Sequence, residues 1–130
     1  MSKTFIIRGE NICDLETLYR EFNRIFMENE DWQIGQSLDA FNDLLYGGFG
    51  RIPAGEPIEL IWENFEKNRQ IFDKTFTIQW YEQKLKPDRT YNTKWVNEQL
   101  ALLHAGEGKT YFDILLEIIG EHKNIKLIPA

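Results

Sequence analysis

Ile58-Glu59-Leu60-Ile61-Trp62 is a short, mostly apolar run, fed by a connection that contains Gly50, Pro53, Gly55 and Pro57. Its length and residue types read as a buried strand, and the glycines and prolines before it read as the loop that delivers it. Two further runs have the same character: Thr4-Phe5-Ile6-Ile7-Arg8, bounded by Gly9, and Ile125-Lys126-Leu127-Ile128, terminated by Pro129. Between them lie segments with helical spacing. Leu15, Leu18, Tyr19, Phe22, Ile25 and Phe26 repeat on one helical face behind Asp14, a residue suited to the N-cap, and predict a helix over about 14–28. Leu38, Phe41, Leu44 and Leu45 repeat behind Ser37 and stop at Gly47-Gly48. Asn64 stands where it would cap a short helix over Phe65, Asn68 and Phe72. Thr110 does the same before Ile114, Leu115, Ile118 and Ile119, a helix expected to end near Gly120.

Strand, helices, strand, helices, strand implies parallel pairing with helical crossovers. The expected fold is therefore α/β, a small three-stranded parallel sheet with helices packed around it. The stretch 73–108 is harder to read. Phe76-Thr77-Ile78-Gln79-Trp80-Tyr81 suits either an extra strand or an aromatic-rich turn, whereas Trp95, Gln99, Leu102 and Leu103 have helical spacing. Its apolar residues are too many for a solvated loop, so it is expected to form an ordered elaboration.

The chain of 130 residues suits one domain, expected to span 1–130 with that elaboration at about 73–108. Charges interrupt every apolar run, so no membrane span is expected, and the N-terminus lacks the pattern of a signal peptide. Cys13 is alone, which excludes an internal disulfide framework and fits a reducing cytoplasm. It is expected to be a small buried apolar residue. The net charge of −6 works against direct binding to nucleic-acid phosphates and leaves a basic protein partner as the electrostatic option.

Residues 9–46 hold nine acids (Glu10, Asp14, Glu16, Glu21, Glu28, Glu30, Asp31, Asp39, Asp43) against Arg20 and Arg24, a balance of −7. The rest of the chain sums to +1, and 74–97 alone carries +3. Asp39 and Asp43 lie four apart on the second helix, so both carboxylates leave the same face; with the core side taken by Leu38, Phe41, Leu44 and Leu45, that face also presents Asn42 and Tyr46. Like charges at this spacing cost a few tenths of a kcal/mol, which fits either a solvated face or a site for a cation.

Catalytic patterns are lacking. His104, His122 and Cys13 are not at metal-ligand spacing, and Gly47-Gly48-Phe49-Gly50 follows a helix where a phosphate-cradling loop must follow a strand. No nucleophile elbow is present. The expectation is a non-enzyme without cofactor or metal. The aromatics Trp62, Phe65, Phe72, Trp80, Tyr81, Tyr91 and Trp95 read mainly as core, with a ligand pocket as the alternative.

The order of elements, the segment Gly35-Gln36-Ser37-Leu38-Asp39-Ala40-Phe41-Asn42-Asp43-Leu44-Leu45 and the segment Ile58-Glu59-Leu60-Ile61-Trp62-Glu63-Asn64-Phe65 together resemble the barstar family of intracellular ribonuclease inhibitors. The resemblance covers about 3–72 and 109–128. It implies that Asp39 and Asp43 are the helix carboxylates presented to the enzyme, with Glu117 of the last helix a further contacting acid. Trp32, Gly35, Asn42 and Tyr46 complete the implied partner-binding set. Asn42 stands where the family usually has Trp, Gln33-Ile34 replace an aromatic pair with Trp32 adjacent, and 73–108 is longer than the usual connection. The implied activity is blockade of a basic ribonuclease in a bacterial cytoplasm, the partner being a secreted ribonuclease or nuclease toxin. An immunity protein against a different toxin and a small-molecule-binding regulatory domain are the alternatives.

Overall fold

The computed structural model describes residues 3–85 and 92–130. Strand β1 (Lys3–Arg8) leads through a single 3-10 turn at Gly9–Asn11 into α1 (Leu15–Phe26) and α2 (Leu38–Tyr46). Strand β2 (Ile58–Glu63) follows, then α3 (Phe65–Ile71), α4 (Lys74–Gln83), α5 (Thr93–His104), α6 (Tyr111–Glu121) and β3 (Ile125–Pro129). The three strands form one parallel sheet in the order β1-β2-β3, with Phe5 opposite Leu60 and Leu60 opposite Leu127. The α/β architecture is the one the sequence predicts.

Alternation along the strands decides which face is covered. Phe5 and Ile7 of β1 and Ile58, Leu60 and Trp62 of β2 are buried under the helices, while Thr4, Ile6 and Arg8 of β1 point the other way and are exposed. Trp62 lies at the centre, with the rings of Phe112 at 5.2 Å, Phe22 at 6.1 Å and Phe65 at 6.3 Å. Its indole N–H donates to Asn68 Oδ1 at 2.8 Å, and Asn68 Nδ2 donates to the Gly9 carbonyl at 3.1 Å. A Cβ on Gly9 would stand 2.1 Å from the Glu63 carbonyl oxygen, so only glycine lets the first crossover leave the sheet there. The hydroxyls of Tyr19 and Tyr111 meet at 2.6 Å in the interior and tie α1 to α6. Burial pushes the Tyr19 phenol up to about 12 and raises Tyr111 as well.

A buried carboxylate fixes α1 against the start of the first crossover. Glu21 accepts from the Arg8 N–H at 2.8 Å, from Asn11 Nδ2 at 3.1 Å and from the Arg24 guanidinium at 2.8 and 2.7 Å. Burial alone would raise its pKa, but Arg24, the Arg8 N–H and Asn11 together hold it below its ordinary value. A carboxyl depressed in the folded state stabilises above its unfolded pKa, and that stability is lost as pH falls through the folded value. Glu21→Gln should therefore cost about 1.5–3 kcal/mol at neutral pH, and the gap from wild type should close in acid below about pH 4. Urea midpoints of both proteins across that range check this; a gap as wide in acid as at neutrality would contradict it.

Several local expectations need correction. Phe76–Tyr81 is neither strand nor turn: Asp73 Oδ1 accepts the Phe76 N–H at 2.9 Å and caps α4, a helix. Asn64 does not cap α3 through its side chain. It adopts the left-handed conformation (φ 54°), tolerated by Asn, because β2 turns at once into α3, whose first N–H donates to the Ala130 carbonyl at 3.1 Å. Cys13 is exposed, sitting just before the Asp14 cap of α1 with its sulfur 3.6 Å from the Thr17 hydroxyl. Trp95 is exposed, while Tyr91 lies outside the described residues.

Helices α4 and α5 pack on each other through Tyr81, Val96, Leu100 and Leu103, a small cluster beside the main core. They join α6 through Thr77, whose hydroxyl accepts the Tyr111 N–H at 2.7 Å, and through the Trp80 ring, edge-on to Tyr111 at 4.9 Å.

Candidate functional site

Helix α2 is held at both ends. At its start the Ser37 hydroxyl accepts the Ala40 N–H at 3.1 Å. The connector before it is clamped by Asn23 of α1, whose Oδ1 accepts the Ile34 N–H at 2.8 Å while its Nδ2 donates to the Tyr19 carbonyl at 2.9 Å. At its end Gly47 takes the left-handed conformation (φ 82°), with no room for a Cβ beside Ala54. The loop beyond is tied to the end of α1: the Arg51 N–H donates to the Phe26 carbonyl at 2.7 Å, and the Gly50 N–H to the Glu30 carboxylate at 2.8 Å. Phe41, Leu44 and Leu45 are buried, with Phe41 stacked on Phe22 at 4.5 Å. That packing fixes the rotation of α2 and turns Asp39 and Asp43 to solvent.

The acids of 9–46 differ in what they touch. Glu21 is buried and paired with Arg24, Glu16 pairs with Arg20 at 3.0 Å and Glu28 with Arg51 at 3.1 Å, and Asp14 and Glu30 accept backbone N–H groups. Among the described residues, Asp39 and Asp43, like Glu10 and Asp31, have no cation or hydrogen-bond donor of their own chain and are exposed, but they alone of these four lie one turn apart on one helix. Like charges one helical turn apart repel each other by a few tenths of a kcal/mol, and here no counter-charge among the described residues relieves that cost.

The other expected site residues are placed less uniformly. Tyr46, 64% exposed, continues the α2 surface. Asn42 does not face freely outward: it is half-buried, and its Oδ1 lies 2.8 Å from His122 Nε2, a contact that needs the proton on that nitrogen. Trp32 is half-exposed against the Phe49 ring at 4.9 Å, on the connector before α2. Gly35 is exposed with open space around its Cα, so no steric reason requires glycine there. Glu117 is exposed on α6 and already ion-paired with Lys109.

Two contributors escaped the sequence reading. His122, buried at the end of α6, holds Asn42 through its ring nitrogen and meets the Tyr46 ring edge-on at 4.6 Å, so it orients two members of the α2 face. Lys109 neutralises Glu117 from the connection before α6. Neither carries a local signal, because each acts on a residue distant in the chain. No group of three His, Cys, Asp or Glu side chains is arranged to hold a metal among the described residues, and no helix there is long and apolar enough to cross a membrane.

The family model for Barstar (barnase inhibitor) matches residues 2–102, most of the chain. The chain belongs to the barstar family. The match takes in β1 through α4 and most of α5, and with them α2 and the connector before it. A search of curated proteins found no match. Membership in the barstar family and the three-stranded parallel sheet agree with the resemblance drawn from Gly35–Asp43 and Ile58–Phe65.

Proposed function

We propose that this barstar-family chain inhibits a basic ribonuclease by laying the α2 face over the enzyme's active site. The observation that carries the reading is the pair Asp39 and Asp43, exposed, one turn apart and without a counter-charge among the described residues. A ribonuclease active site is built to hold RNA phosphates with cationic side chains, and two fixed carboxylates at helical spacing can occupy the same positions. Inhibition is then steric and electrostatic, and the chain itself performs no chemistry. Tyr46 and Asn42 on the same helix, and Trp32 on the connector before it, are further contacts in this reading. Glu117 can contribute only by sharing or exchanging Lys109.

Charge sets the kinetics of such a complex. An excess of seven negative charges over 9–46 attracts a basic enzyme from a distance, whereas the contact pairs act once water is expelled. Raising the salt from about 0.05 to about 0.5 M should slow association at least roughly tenfold and change dissociation far less. Stopped-flow mixing with barnase and further barnase-type ribonucleases checks this. Binding whose association rate is indifferent to salt would contradict the electrostatic reading.

A further inference from the structure

The α2 face is rich in charge and poor in apolar surface, with Tyr46 its one exposed large hydrophobic residue. Tight protein interfaces are anchored instead by aromatic or aliphatic groups that exclude water around the charged contacts. Such groups lie next to α2, on the helical pair α4–α5. Trp95 is 47% exposed and Leu102 40% exposed, although the pair has a small core of its own that could have covered them. Trp80, its ring under the Lys84 ammonium at 4.4 Å, stands between α5 and α6. Two depressions open along this wall. One, of about 350 Å³, runs past Trp95 and Leu102 to Glu117; the other, of about 640 Å³, runs past Trp95 to Asp39. Leu38, Trp80 and Trp95 line both, so the two adjoin as a groove along this wall, with Asp39 on the lining of one and Glu117 on that of the other.

We infer that this groove is the apolar half of the ribonuclease-binding surface, and that it receives a loop of the enzyme bearing an aromatic or aliphatic side chain beside a basic one. The inference rests on the function proposed above. The groove is continuous with the acidic face, since Asp39 belongs to both. A footprint of about 800 Å² that covers Asp39 and Asp43 is large enough to reach the groove mouth, because Asp39 itself lines it. The expected side chain is apolar because Trp95, Leu102 and Leu38 form the walls, and a basic neighbour is expected because Asp39, Glu107 and Glu117 outnumber Lys84 and Lys109 along the lining.

The test is binding of barnase and further barnase-type ribonucleases to four proteins: wild type, Trp95→Ala, Leu102→Ser and Asp39→Ala/Asp43→Ala. Both groove residues are partly exposed and Trp95 also packs edge-on against Tyr81, so urea midpoints should fall modestly while both variants stay fully folded at the binding temperature. For the enzyme that binds wild type best, Trp95→Ala and Leu102→Ser should each raise Kd at least tenfold, through faster dissociation and by a factor that salt does not change. The aspartate variant should also raise Kd, and unlike the groove variants it should lose association rate at low salt as well as dissociating faster. Wild-type-like Kd values for both groove variants, beside a weakened aspartate variant, would overturn the groove alone and leave it to another occupant such as a small molecule. Wild type failing to bind any of these enzymes would overturn the reading beneath it.

Discussion

Trp62→Ala is expected to lower stability by about 3–5 kcal/mol, enough to leave a domain of ordinary stability barely folded at 37 °C. Trp62 is fully buried at the meeting point of the sheet, α1, α3 and α6, so its removal opens a cavity lined by Phe22, Phe65 and Phe112 that cannot collapse without shifting β2. It also strands Asn68 Oδ1, which loses its donor in the interior. Trp62→Phe separates the two effects: most of the ring volume returns, the N–H does not, and a residual cost of about 1–3 kcal/mol is expected. Urea unfolding of the three proteins reads this out. A midpoint for Trp62→Ala within experimental scatter of wild type would mean that the core is organised elsewhere.

Asp39→Ala and Asp43→Ala are each expected to weaken binding of the target ribonuclease by about 2–5 kcal/mol, roughly thirtyfold to a few thousandfold in Kd. Much of that is the penalty of leaving an enzyme cation buried without its partner. Stability should hardly move. Removing one of two like charges a turn apart returns a few tenths of a kcal/mol, and Asp39 loses a comparable interaction with the N-terminus of α2. The separation of a large binding loss from a negligible folding loss is the mark of a contact residue. Equilibrium titration paired with thermal melts measures both; a variant that loses binding only because it unfolds would contradict the role.

The parts of the fold that were legible in the sequence are those where local signals and tertiary packing agree. The three strands are short apolar runs, each bounded on one side by a glycine or a proline. Asp14, Ser37 and Thr110 each cap a helix as their positions imply. Helix α4 was not legible, because its residues Phe76 to Tyr81 are apolar or β-branched on more than one face. The reason is physical: α4 packs on α5 through Tyr81 and on α6 through Thr77 and Trp80, so it has no single polar stripe to reveal a 3.6-residue period. In the candidate site, spacing alone put Asp39 and Asp43 on one exposed helix face, whereas the role proposed for them came from the resemblance to the barstar family. The His122 contact to Asn42 joins residues 80 positions apart, and pairing of that kind leaves no trace in either segment. The same holds for the groove, whose walls come from α2, α4, α5 and α6 and meet only after folding.

The most direct measurement is an activity titration: a fixed amount of the ribonuclease that wild type binds best is assayed on RNA with increasing wild type and with Asp39→Ala/Asp43→Ala. The account predicts that activity falls linearly to near zero at one inhibitor per enzyme for wild type, while the double variant needs a large excess. Inhibition by the double variant at the same equivalence point, or enzyme that stays active when saturated with wild type, would contradict blockade of the active site by the α2 carboxylates.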